Sequence, residues 1–343
     1  MTGDADLLIA GGGPAGLATA LYALRAGLQP MIVEPRSEGT DKACGEGLMP
    51  SAVRALDELG VSVPGQPISG IRYVQDGLRV AAEFRDGTGL GVRRTVLHTA
   101  LHRAAVAAGV PIRRGRVTEV RSESAGVVVP ELGLRGRWLV AADGLHSPVA
   151  RGLGLVVDDR RAPRFGLRRH FAVAPGSSSV EVHHGPHGEA YLTPVGPELT
   201  GVALLTTRRA PFGTQLAAFP ALAQRFTPEL AVTAVRGAGP LRRRVRRRVA
   251  DRVLLVGDAA GYVDAITGEG IALALSGAAA LVDCLRRGRP QDYEAVWRRA
   301  TRRHRLLTEL LVAARTTPLT ANRIVPAARR FPSVFAAVVN ALA

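Results

Sequence analysis

The stretch "ADLLIAGGGPAGLATALYALRAGLQPMIVEPR", residues 5–36, constrains the fold more than any other part of this chain. Asp6 to Ala10 is a short, almost wholly apolar run, as expected of a strand buried on both faces. Gly11, Gly13 and Gly16 then spell G-x-G-x-x-G. Pro14 suits the first turn of a helix, and the helix is expected to run to about Ala26 and stop at Gly27. "MIVE" is a second buried strand, ending in Glu34. The first glycine permits a tight turn, the second lets backbone approach a pyrophosphate, and the third packs helix on strand. The helix N-terminus then faces the phosphates. Glu34 is placed to accept hydrogen bonds from both ribose hydroxyls. Set between strand and helix, with an acid closing the next strand, the motif predicts a dinucleotide-binding unit rather than a mere glycine-rich turn.

Composition narrows the class further. The 343 residues suit one large α/β domain or two smaller ones. An apolar content of 47% supports a real core, and there is no internal repeat or low-complexity tail. The net charge of +16 suits an acidic partner such as a phosphorylated cofactor. It equally reflects GC-rich codon usage, since Lys42 is the sole lysine. Aromatics are only 4%, and no basic run is interleaved with them, so nucleic acid is not an expected partner. Cys44 and Cys284 make neither a disulfide framework nor a zinc spacing; no metal is expected, and a reduced, cytoplasmic setting fits. Asp4 and Asp6 stand where a signal peptide would be basic. No charge-free stretch is long enough for a membrane span, which leaves only peripheral membrane contact open.

Two later segments separate FAD from NAD. "RWLVAADGLHSPVARGLG" carries Asp143-Gly144 at a strand end. "DRVLLVGDAAGYVDAITGEGIALALSGAAALVDCL" reads as a strand, Gly257-Asp258, a loop, and a long helix beginning near Thr267-Gly268. With these motifs in order, the chain resembles the class A flavoprotein monooxygenase and geranylgeranyl reductase superfamily, of the para-hydroxybenzoate hydroxylase fold. The resemblance implies FAD as cofactor and Asp258 on a ribityl hydroxyl. It puts Asp143 and Gly144 near the pyrophosphate, in a motif associated with NAD(P)H use. "RRTVLHTAL" is similar to the family's R-x-x-L-x-x-x-L helix, which maps its FAD-reaching arginine onto Arg94. Pro14, Ala15, Pro35, Arg36, Lys42, Cys44, Gly45, Val117, Gly257, Gly268, Glu269, Gly270 and Ile271 complete the expected cofactor contacts. A helix starting at Gly268-Glu269-Gly270 would aim its free N–H groups at the charge of reduced flavin. There is no second strand–GxGxxG–helix unit, and "DGTGLG" (86–91) reads as turns; NAD(P)H is thus expected as a transient co-substrate.

The expected architecture is α/β: a Rossmann-like FAD-binding domain from residues 1–60, 92–158 and 250–290, with an inserted mixed β-sheet substrate domain from 61–91 and 159–249. C-terminal helices follow over 291–343, with Pro318 and Pro326 as breaks. "LRRRVRRR" (241–248) reads first as a solvated basic edge, second as a docking face for NADPH phosphate or anionic lipid. "FAAVVNALA" reads as a packed helix rather than an anchor.

Two activities use this fold. In one, oxygen forms a C4a-hydroperoxide on reduced FAD and hydroxylates an aromatic, polyketide-like or other hydrophobic small molecule, as in the flavin hydroxylases of actinobacterial secondary metabolism that the chain resembles. In the other, hydride passes to a prenyl-type double bond. "CGEGL" (44–48) resembles the C-G-G-G loop of the reductases, and "GDAAGYVDAITGEGI" resembles their G-D-A-A-G-x-x-D-P-x-T-G-E-G-I. The reductases' Y-x-W-x-F-P is reduced to "EAYLTPVG", keeping only Tyr191 and Pro194. The long C-terminal portion that houses their isoprenoid tail is also missing, so hydroxylation is the preferred expectation and ene-reduction the alternative. A flavin halogenase would want W-x-W-x-I-P, which the chain lacks; a non-catalytic flavoprotein is the remaining class. Arg168 and His170 share one face of "LRRHF", with His184 and Tyr191 on neighbouring strands. Arg168, His170 and Tyr191 are the candidate catalytic residues, since a histidine can deprotonate a phenol. The loop holding Lys42 and Cys44 is expected to contact flavin, with Lys42 as a point cation and Cys44 as a structural thiol.

Overall fold

The computed structural model describes residues 4–159, 161 and 163–343. Its first layer is a parallel sheet in the order Val253–Leu255, Leu134–Ala141, Ala5–Ala10, Pro30–Glu34, Ile112–Arg114, with Val249–Ala250 antiparallel at one edge. The central strands read as continuous apolar runs because both faces are covered: Leu7, Ile9, Ile32 and Leu139 are fully buried. The helix Pro14–Arg25 stops at Gly27, whose φ of 77° is left-handed. It lies against the helix Gly270–Arg286. Gly257 permits the close approach, since a Cβ there would sit 2.8 Å from Ala15 Cβ.

Facing this layer is a seven-stranded mixed sheet: Arg236–Ala238, Phe165–Phe171, Leu199–Thr206, Gly188–Gly196, Ser179–Gly185, Gly70–Gln75 and Leu78–Glu83. All neighbours are antiparallel except Ser179–Gly185 with Gly70–Gln75. Asp76-Gly77, both at positive φ, forms the two-residue hairpin turn that the right-handed strand twist favours. Residues 86–91 are not simply turns. Gly89–Gly91 is a strand between Gly47–Leu48 and Gln66–Ile68, because Gly89 lets it lie against the Leu48 carbonyl and Gly91 against the backbone of Pro194.

The C-terminal helices are Tyr293–Thr316, Pro318–Ala321, Ile324–Arg330 and Pro332–Leu342. Pro318 and Pro332 begin helices, whereas Pro326 stands in the first turn of one, where its missing N–H costs nothing; it is not the expected break. Phe335 and Val339 pack on Val80 and Ala82 of the seven-stranded sheet. No helix among the described residues is long and apolar enough to cross a membrane.

The arginine run 241–248 is not a plain solvated edge. Arg242 pairs with Asp159 and Glu309. Arg243 donates to the Leu145 carbonyl. Arg248 is buried on Trp297, 3.9 Å from the ring centroid, and paired with Glu294 at 3.0 Å. Only Arg244, Arg246 and Arg247 of the run are exposed.

One ion network joins all three parts of the molecule. Glu189 on the mixed sheet takes Arg164 and, at 2.6 Å, Arg315 of the long C-terminal helix. Arg164 also reaches Asp264 of the loop before Gly270, at 3.3 Å. All four side chains are at most 5% exposed. Removing one partner from such a network strands buried charge. Glu189→Ala is expected to lower unfolding stability by about 3–5 kcal/mol, read from urea denaturation; a loss below about 1 kcal/mol would show that the arginines find other partners.

Candidate active site

A cavity of about 830 Å³ runs between the parallel sheet, the mixed sheet and the C-terminal helices. Its first end is built by the glycine turn. Gly11 has φ of 108°, and a Cβ there would strike the Ala142 backbone; a Cβ on Gly16 would overlap the Gly11 carbonyl oxygen. Gly13, by contrast, has open space where its Cβ would stand, on the cavity side. Glu34 Oε2 accepts from the Gly12 N–H at 2.6 Å, while its Oε1 accepts from Arg36 Nε at 2.7 Å. Burial pushes the Glu34 pKa upward, but the bonds from Arg36 and the Gly12 amide outweigh it and hold the carboxyl below its ordinary range.

His98, which the sequence did not single out, supports this turn from below. The Gly39 N–H donates to Nδ1 at 3.1 Å, so Nε2 carries the proton and donates to the Gly12 carbonyl at 2.9 Å. Burial, with Arg94 nearby, lowers the His98 pKa to about 4. His98 was discoverable as a second polar residue, with Arg94, on the otherwise apolar buried face of "RRTVLHTAL" that Leu97 and Leu101 complete.

Further along, Gly11, Gly13, Pro14, Ala15, Glu34, Pro35, Arg36, Lys42, Cys44, Gly45, Arg94 and Val117 all line the cavity. So do Asp143, Gly144, Gly257, Asp258, Gly268, Gly270 and Ile271. Two expected contacts do not. Gly16 lies beneath the turn, and the Glu269 carboxylate is directed to His304. Burial lowers the Lys42 pKa, helped by Arg36 and Arg94. Arg94 Nη1 and Asp143 Oδ1 are buried and have no partner among the described residues. Burial raises both the Asp143 and the Asp258 carboxyls above their usual range, the latter against Lys42 and Arg94. Cys44 is raised too, by burial and then by Glu46, so its thiol is protonated at neutral pH.

The mixed sheet contributes Arg168 and Tyr191 to the lining. The Tyr191 hydroxyl donates to the Ile266 carbonyl at 3.0 Å, and burial raises its pKa well above the ordinary value. His170 does not line the cavity. Its ring lies behind Arg168, with Nε2 2.6 Å from Glu46 Oε2 and Nδ1 3.1 Å from Thr233 Oγ1. His184 is likewise outside, packed on Tyr73 with ring centroids 4.9 Å apart, and burial lowers its pKa to about 3. Neither histidine can reach a molecule in the cavity. Glu46 was passed over in the sequence as a spacer between glycines; a charge in so small a loop among apolar neighbours was the signal that it has partners.

The cavity continues under the C-terminal helices, where Ile324, Phe331, Phe335, Val338 and Leu342 meet Ile71, Tyr73, Val180 and Val182. The short C-terminal helices thus form one wall of this arm of the cavity.

An open glycine turn, an acid anchored at the next strand end and the unpartnered Arg94 Nη1 suit a bound dinucleotide, which makes this a dinucleotide-binding protein in build. Residues 4–287 match the family described as FAD binding domain. The chain belongs to that family and is an FAD-dependent oxidoreductase. It is 28% identical to a menaquinone reductase of Mycolicibacterium smegmatis, across 87% of this chain and 80% of that one. It is 30% identical to digeranylgeranylglycerophospholipid reductase 1 of Methanopyrus kandleri, across 79% and 77%. Among solved structures, a geranylgeranyl bacteriochlorophyll reductase-like protein of Thermoplasma acidophilum superposes with a TM-score of 0.78, at 20% identity over 94% of this chain and 90% of that one. A flavin-dependent brominase gives 0.79 at 16% identity over 98% and 93%. These two likenesses are of fold.

Two outcomes are expected from the nucleotide end. Glu34→Ala loses charge-assisted hydrogen bonds, so the FAD Kd should rise by about tenfold to a hundredfold, measured by flavin titration of stripped protein. An unchanged Kd would remove Glu34 from the cofactor site. For His98, the unfolded chain binds the proton more readily than the fold, since the folded pKa lies below 6.5. Its stabilising share is therefore full above pH 6.5 and lost as pH falls toward 4. The urea midpoint should drop over that window, less steeply in His98→Gln, with His184 contributing equally to both proteins.

Proposed function

We propose that the protein is an ene-reductase acting on an isolated carbon–carbon double bond of a long, prenyl-type hydrophobic substrate, with NAD(P)H as transient electron donor. The observation that carries this reading is the apolar arm of the cavity. Phe331, Phe335, Val338 and Leu342 extend the cofactor cleft with side chains that hold no charge, a lining suited to an acyl or prenyl tail. The names of the two sequence relatives, a menaquinone reductase and a digeranylgeranylglycerophospholipid reductase, point to substrates of the same chemistry. A phenol hydroxylase would be served by a histidine able to deprotonate its substrate, and His170 and His184 both stand outside the cavity. That shifts the balance to reduction.

Bound FAD supplies the hydride in its reduced state. The chain's own residues bind, orient and protonate. Arg94, Lys42 and Arg36 offer positive charge to the pyrophosphate and the reduced ring. Tyr191 holds the Ile266 carbonyl and, through it, the loop leading to Gly268 and the N-terminus of the Gly270–Arg286 helix. Hydride addition to one alkene carbon needs a proton at the other. Neutral donors for it in the lining include the Cys44 thiol and the Tyr262 phenol, both kept protonated by burial.

The test is anaerobic. Pre-reduced protein mixed with a prenylated quinone or a geranylgeranyl lipid should yield product two hydrogens heavier without oxygen. Product formed only in air and carrying an oxygen atom from it would overturn reduction in favour of hydroxylation. Tyr191→Phe should stay yellow and lose roughly fivefold in turnover, the worth of one neutral hydrogen bond; full activity would take Tyr191 out of the site.

A further inference from the structure

Glu46 stands where the C-G-G-G loop of the resembled reductases has glycine. Its φ is +62°, in the left-handed region that L side chains rarely adopt. The loop "CGEGL" departs from C-G-G-G at this residue alone among its first four. A strained, buried carboxylate persists only where its surroundings hold it, and the surroundings are specific. Glu46 Oε1 accepts from the Arg94 N–H at 2.8 Å and lies 3.6 Å from Arg168 Nε. Arg168 Nη1 donates to His170 Nδ1 at 3.1 Å, which leaves the His170 proton on Nε2, and that proton is donated to Glu46 Oε2 at 2.6 Å. Glycine at position 201, opposite His170 in the sheet, leaves the room: a Cβ there would stand 3.1 Å from Glu46 Oε2. The same loop is held a second time where Asp41 meets Arg168 and, at 3.2 Å, Arg236. A third hold is the Thr193 hydroxyl, which donates to the Gly45 carbonyl at 2.7 Å.

We propose that Glu46 is a positioning residue: it latches the 41–48 loop to the mixed sheet and to the start of the Arg94 helix, and so fixes where Lys42 and Cys44 stand in the FAD cleft. His170 and Arg168 act as the sheet's half of the latch. His170 thus has a use that does not require it to touch substrate. The inference rests on FAD occupying the cleft and not on which substrate is reduced.

The chain carries its own reporter. Lys42 is the sole lysine, so endoproteinase Lys-C cuts only after residue 42, inside the latched loop. Native wild-type protein is expected to resist, both loaded with FAD and stripped of it. Glu46→Gly keeps a backbone suited to positive φ and loses the carboxylate. Its cleavage should quicken by about tenfold to a hundredfold, the weight of a charge-assisted bond in a local opening equilibrium. FAD affinity should stay within about threefold. His170→Asn should quicken cleavage less, and the double variant should add little to Glu46→Gly. Glu189→Gln, which weakens a distant network, controls for global instability and should leave the Lys-C rate near wild type. Turnover of Glu46→Gly should fall about tenfold or more through kcat, as expected of misplaced groups, with the flavin absorption band shifted. A wild-type cleavage rate in Glu46→Gly, acceleration no greater than in Glu189→Gln, or protection that vanishes merely on removing FAD would each overturn the latch.

Discussion

Buried arginine–carboxylate pairs hold the two sheets of this protein at the distance its cleft requires. Among the described residues the parallel sheet and the mixed sheet share no strand ladder, and a cavity of about 830 Å³ runs between them, so apolar packing cannot set their spacing alone. Arg168 with Asp41 and Glu46 works on one flank, and Arg164 with Glu189, Asp264 and Arg315 on the other. Burial makes such pairs intolerant of partial loss: each ion is acceptable only while its partner remains. The result is a hollow structure with fixed walls.

Both networks end on segments that face the cofactor. Asp41 and Glu46 bracket Lys42 and Cys44; Asp264 begins the turn that leads to Gly268 and the helix N-terminus. Charge inside the molecule therefore does two tasks. Paired charge fixes the backbone of the cleft, while Lys42 and Arg94, whose Nη1 has no partner among the described residues, line its nucleotide end. The arm lined by Tyr73 and Phe335 is apolar among the described residues, which sets it apart from the polar nucleotide end.

The nucleotide half of this arrangement was legible from the chain. Gly11, Gly13, Gly16 and Glu34 act over short range, and the steric demands of a turn between a buried strand and a helix admit few alternatives. The Gly257-Asp258 and Asp143-Gly144 motifs likewise declared themselves next to strands whose apolar runs are local facts. The histidines were misjudged as cavity groups because strand alternation tells which face of the strand a side chain takes but not what covers that face. Arg168 and His170 do share a face; Glu46 then arrives from 124 residues away and covers His170 while Arg168 stays at the wall.

Sequence alone determined the α/β class, the glycine turn and the acid at Glu34, since each follows from backbone sterics and hydrophobic period within a few residues, while the order of the FAD motifs was legible through resemblance to a known family. Tertiary structure decided the rest. It set which arginines are clamps rather than surface, turned the second half of "DGTGLG" into a strand, sealed His170 behind Glu46, and folded the short C-terminal helices over the cavity. All of these depend on pairings between segments far apart in the chain, where desolvation of a charge or coverage of an apolar face is settled only when the partner is in place.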